Sequence, residues 1–182
     1  MNKSIIALLA CGLIFAGCSQ KPAQSSKSGS TSAAKTSSTA GAERDLCALL
    51  SPADLESILG SPVVTKKGNL PQGPAVTGCQ YLNNEQGTNA SIVANFDNEG
   101  ITAKAGYEEA VGYLKDNKMD NMQARIVADV GEENYSWSTG LATQINAYEK
   151  NVWVSVSTYT GKRYDFDATA AVTRLALQRL TQ

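Results

Sequence analysis

Asp129, Glu132 and Glu133 form an acidic cluster close to Trp137. Paired carboxylates can act as general acid and base on a glycosidic bond. Acidic clusters are also ordinary features of solvated loops, and that is the expected role here. Asp97-Asn98-Glu99-Gly100 offers oxygen ligands but lacks the distant Glu that completes a calcium loop, so a turn is expected. No histidine occurs in the 182 residues. Triads with an imidazole base, imidazole metal sites and histidine pH switches are therefore excluded. No G-x-S-x-G or phosphate-cradling glycine motif is present. No catalytic residue, cofactor or metal site is assigned, and the chain is not expected to be an enzyme.

The aromatic residues suggest contact rather than catalysis. If Val152, Val154 and Val156 face a core, Trp153, Ser155, Ser157 and Tyr159 face the other way. Tyr148 on the preceding strand shares that parity. A patch of Tyr148, Trp153 and Tyr159 on a sheet face without a helix over it is a candidate binding face for protein, glycan or lipid. The competing expectation is that these rings pack on one another or beneath a loop.

Cysteine chemistry depends on where the chain resides. Lys3 precedes an apolar run from Ile5 to Phe15, which is too short to span a bilayer. Phe15-Ala16-Gly17-Cys18 closes it and resembles a lipobox, with Phe in place of the commoner Leu. Residues 1–17 are thus expected to be a lipoprotein signal peptide and Cys18 the lipidated residue. Two or more acyl chains anchor a protein stably where one does not. Ser19, rather than Asp, follows the cysteine, which favours the outer membrane, facing the periplasm, if the host has two membranes. Cys11 leaves with the leader. Cys47 and Cys79 remain as an even pair in an oxidising compartment, and a disulfide is expected between them. The chain-entropy model assigns such a loop of about 33 residues a stabilisation of about 3.5–4 kcal/mol.

Elements must position these residues. Residues 18–43 are rich in Ser, Ala, Thr, Lys and Gly, without an aromatic or large aliphatic side chain after Cys18. Such a segment cannot offset its ordering entropy by burial, so a flexible tether is expected. Its root-mean-square span would be about 25–30 Å, and its extended reach about 80–90 Å. From Arg44 onward, 12 basic residues face 16 acidic ones, which leaves no electrostatic footprint for nucleic acid.

Residues 44–182 are expected to form one α+β domain, an antiparallel sheet with helices packed on one side. Ser51-Pro52-Ala53-Asp54 is a capping pattern that opens a short helix ending at Gly60. Val63 to Val76 is expected to be a loop. Strands are expected at Gly78–Leu82, Ala90–Phe96, Ala124–Val130, Asn134–Trp137, Leu141–Tyr148 and Val152–Tyr159. A second helix is expected from Thr102 to Asp116, although Gly106 and Gly112 weaken it. Asp167 is expected to cap a last helix with Ala168, Ala171, Val172, Leu175 and Ala176 on its apolar face.

Cys47-Ala48-Leu49-Leu50-Ser51, then Leu59-Gly60, then Cys79-Gln80-Tyr81, resembles a widespread group of uncharacterised bacterial lipoproteins. Gly131-Glu132-Glu133-Asn134-Tyr135-Ser136-Trp137 is similar to a further segment of that group. The resemblance implies a domain type and carries no activity. The overall expectation is a lipid-anchored envelope protein whose domain binds an envelope protein or glycan. The alternative is a small-molecule carrier or sensor with a pocket between sheet and helices, which a cavity lined by Tyr107, Trp137 or Trp153 would favour. A carboxylate-based glycan hydrolase is the remote alternative.

Overall fold

The computed structural model describes residues 44–66, 70, 73, 75–83, 87–98 and 100–182. The expected leader, Cys18 and the tether to residue 43 lie outside the described residues. The first described elements are held by local caps. Asp45 accepts a hydrogen bond from the Cys47 N–H and opens a single turn, α1 (Leu46–Leu49). Ser51 and Asp54 close a reciprocal capping box at the start of α2 (Pro52–Leu59). Gly60 ends α2 in the left-handed region, at φ 69°, where a Cβ would be strained. Leu46, Leu50 and Leu55 are fully buried by this arrangement.

The strands are β1 (Val64–Lys66), β2 (Val76–Asn83), β3 (Gly87–Phe96), β4 (Gln123–Arg125), β5 (Glu133–Ser138), β6 (Ala142–Glu149) and β7 (Val152–Tyr159). Two longer helices complete the fold, α3 (Ala103–Asp116) and α4 (Phe166–Leu180). Among the described residues, seven strands form one sheet in the order β1-β2-β3-β7-β6-β5-β4. Every neighbouring pair is antiparallel. The sheet is two meanders joined where β3 meets β7, with Ala94 opposite Val154. The α+β class and the antiparallel sheet agree with the sequence.

One face of the sheet carries the main core. Ile92, Ala94, Ile145, Ala147, Val154 and Val156 point to it and are fully buried, together with Val172, Ala176 and Leu177 of α4. Each buried Val, Ile or Leu contributes about 1.5–3 kcal/mol relative to exposure. α1, α2 and α4 pack on this face. Cys47 and Cys79 are disulfide-bonded, Cα to Cα 5.2 Å, and tie α1 to β2 across 32 positions. At one end the core turns polar. Thr143 and Thr158 sit opposite each other, and Thr143 donates to Ser138 while Thr158 and Thr169 share a 2.6 Å bond. These bonds offset the cost of burying the hydroxyls.

Several boundaries differ from the sequence-based expectation. The stretch from Val63 to Val76 contains β1, whose Val64 pairs with Leu82. The strand expected over Ala124–Val130 is confined to Gln123–Arg125. Beyond it the Asn134 side chain holds the chain in a turn, accepting from the Val127 N–H and donating to the Val127 and Val130 carbonyls, all at 2.9 Å. The cap of α4 is Asp165, not Asp167. Phe166 is buried at the first helical position, which places the cap two residues earlier than expected. Asp167 instead lies in the first turn, where its charge complements the helix dipole. Finally, α3 does not join the other helices. It lies across the opposite face of the sheet and creates the site described next.

Candidate functional site

Strand parity decides what lies beneath α3. Trp153 and Ser155 of β7, Gln144 and Asn146 of β6, and Val93 and Asn95 of β3 point away from the main core. Over them, α3 presents Ala103, Gly106, Ala110 and Leu114. Helix and sheet face flank a cavity of about 750 Å³ that is open to solvent. Its lining is mainly apolar with a few convergent amides and hydroxyls, the usual makeup of a small-molecule site. Ile101 and Tyr113 stand at its edge, 46% and 63% exposed. Among the described residues, Glu109, exposed on α3, supplies the only carboxylate of the lining, and no Lys or Arg lines it.

Gly106 sets the height of α3. A Cβ there would lie 3.2 Å from Cε3 and Cζ3 of Trp153, a tight approach. The helix therefore rests on the indole. Next to the cavity, Tyr107, Val111 and Tyr135 form a second small cluster, with Trp137, Tyr148 and Trp153 packed around them. Burial, with Glu133 and Glu108 nearby, pushes the Tyr107 hydroxyl up to about 12. Lys104 donates to Glu133 and lies 4.9 Å from the Tyr148 ring centre. The hydrogen bond to Glu133 is the largest cause that raises its ammonium above the ordinary lysine value.

The cavity floor contains an ordered polar row. Ser157 Oγ donates to Gln144 Oε1 at 3.3 Å. Gln144 Nε2 donates to Ser155 Oγ at 2.9 Å and to Asn146 Oδ1 at 3.4 Å. Asn146 is 1% exposed, yet its Nδ2 has no hydrogen-bond partner. The indole Nε1 of Trp153 is likewise buried and unpartnered. Trp137 Nε1 and Ser136 Oγ, outside the cavity lining, are buried and unpartnered too, so such groups are not confined to the cavity.

The structure separates the three aromatic residues singled out in the sequence. Tyr148 and Trp153 are directly paired and both are half-buried at the α3 cluster. Tyr159 shares their parity but lies at the other end of β7, about 20 Å along the strand. It is 45% exposed and pairs with Ala142. The acidic cluster is also divided. Glu133 engages Lys104, whereas Glu132 accepts from the Lys150 N–H at 3.2 Å. Asp97 and Asn98 form a turn leading into α3, with Asp97 accepting from the Ala103 N–H and Asn98 from Gly100 and Ile101. Among the described residues, no group of His, Cys, Asp or Glu could hold a metal ion.

Gln144 and Asn146 were not singled out from the sequence, and Ser155 was named there only for its parity. Their only signal is polar alternation along β6 and β7, which looks the same on a solvated face. Residues 13–168 match the model of a family described as a protein of unknown function (DUF3558). Neither a curated protein nor a solved structure matches the chain.

Proposed function

We propose that this chain, which belongs to the DUF3558 family of unknown function, is a non-enzymatic binding module that holds a small molecule between α3 and the sheet. The observation that carries this reading is the cavity of about 750 Å³ with Trp153 and Asn146 in its lining. Its apolar walls offer burial to a ligand, and its few polar groups offer orientation. A Trp–Tyr–Tyr contact face has less support, because α3 packs on Tyr148 and Trp153 and leaves Tyr159 apart.

We place the module at the bacterial envelope, anchored by lipid on Cys18. The support is the leader-like Lys3 to Phe15 segment, the Phe15-Ala16-Gly17-Cys18 motif and the disulfide. A carrier or sensor of small molecules near a membrane suits that address.

Native mass spectrometry of the full chain, released gently from membranes, tests the binding reading. The wild type should retain a small neutral mass that dissociates on activation. Ala110→Trp fills the cavity from α3 and should abolish the adduct with the melting temperature unchanged. A wild type that carries no adduct, or an adduct that survives Ala110→Trp, would remove the pocket from consideration.

A further inference from the structure

Resting on that reading, we infer that the ligand is a membrane lipid that places one acyl chain in the cavity, chain end inward, with its head left at the mouth where Ile101 and Tyr113 are exposed. The lining decides the class. Val76, Val93, Phe96, Ala110, Leu114 and the Trp153 ring present carbon to the cavity. Trp153 Nε1 and Asn146 Nδ2 are shielded from water, so neither selects the ligand. Other polar groups of the lining are engaged within the protein. Gln144 bonds Ser155 and Ser157 whichever way its amide is turned, because a hydroxyl donates or accepts. Thr102 accepts from the Ala105 N–H, and Asn98 accepts from Gly100 and Ile101. A sugar or other polar metabolite would exchange its hydration for few new partners. A phosphate or carboxylate would meet Glu109 and, among the described lining residues, no Lys or Arg. A hydrocarbon chain gives up no hydrogen bond on entry and gains burial.

The shape suits a chain. The floor crosses four neighbouring strands, from Val76 on β2 through Val93 and Trp153 to Asn146 on β6, about 14 Å at the usual strand spacing. The helix side runs from Ala103 to Leu114, about 16 Å at the helical rise. A volume of about 750 Å³ spread over those lengths is a thin slot, open to solvent. A flexible chain can follow it inward from the mouth.

Two further observations point to the membrane as the source. The described domain begins at Arg44, whose guanidinium lies 3.9 Å from the centre of the Phe96 ring and whose carbonyl accepts from Thr77 Oγ1. Phe96 lines the cavity, so the stretch leading back to the proposed anchor at Cys18 joins the domain beside it. Ile101 and Tyr113 also line the cavity and stay exposed, and a tyrosine that is part apolar and part wet suits a bilayer interface.

Photo-cross-linking tests this. The full, lipidated chain is reconstituted into phosphatidylcholine vesicles containing phosphatidylcholine with a diazirine either at the end of one acyl chain or beside its carbonyl. After irradiation, peptide mass spectrometry maps the labelled residues. The chain-end probe should label Val93, Leu114 or Trp153, and the carbonyl probe Ile101 or Tyr113. Ala110→Trp should remove the inner labels and keep those at the rim. Rim labels from both probes, with no inner label in the wild type, would overturn the lipid inference. The pocket reading would then stand on a non-lipid adduct in native mass spectrometry, and would fall too if there were no adduct. A chain made in cells fed a diazirine fatty acid carries the probe on Cys18 itself. Cross-links from Cys18 into the cavity, with none from vesicle lipid, would assign the slot to the chain's own anchor and overturn the membrane source.

Discussion

Arg179, near the end of the chain, reaches back to its start. Its guanidinium donates to both oxygens of Asp54, at 2.7 and 2.9 Å, and also to the Leu49 carbonyl. Asp54 already closes the capping box of α2, so one carboxylate serves two elements. Arg179 beside it, with the Ser51 hydroxyl and N–H, holds the Asp54 carboxyl well below the usual carboxylate range. A depressed folded value stabilises the fold fully above the unfolded carboxylate value of about 3.9. That stabilisation is lost as pH falls from there through the lower folded value. The side chains are 28% and 33% exposed, so solvent screens part of the charge term. Asp54→Ala should cost about 1–3 kcal/mol at neutral pH. Denaturant unfolding at about pH 7 and about pH 2.5 should show the gap to wild type narrowing in acid. A gap of equal size at both would assign the loss to packing instead. The capping half of this residue's role is legible in Ser51-Pro52-Ala53-Asp54. The Arg179 half is not, because 125 positions separate the partners.

Elements with strong local signals were the ones legible in the sequence. α2, α4 and the β6–β7 hairpin carry caps, an αL glycine or clear alternation. α1 and β4 are too short to establish a period. β1 exists because β2 offers it an edge, which no local pattern announces. α3 shows the limit best. Gly106 counts against a helix on propensity alone, yet its missing Cβ is what lets α3 rest on Trp153. The disulfide acts at the same scale, joining a one-turn helix to β2, the second strand of the sheet. Replacing both Cys47 and Cys79 by Ala should cost about 3.5–4 kcal/mol in urea unfolding, mainly through the unfolded chain. A loss below about 1 kcal/mol would show that the buried leucines of α1 hold that junction alone.

At the scale of the whole molecule, position relative to a membrane is the open property. Among the described residues, no helix is long and apolar enough to cross a membrane. The proposed anchor is the lipid on Cys18. Growth with an alkyne-tagged fatty acid should label the wild type, and Cys18→Ser should be unlabelled. A wild type without label would discard the anchor. The sequence by itself determined the class of the fold, the cysteine pair, the main core face and the exclusion of imidazole chemistry. Composition, caps and two-residue alternation are local properties, and they survive without knowledge of the partners. Only the tertiary structure decided that α3 takes the second sheet face, that Tyr148 and Trp153 lie beneath it, and that Gln144 and Asn146 line a cavity. A strand's parity says which residues share a face, but not whether water or a helix covers that face. That depends on long-range packing across β3, β6, β7 and α3.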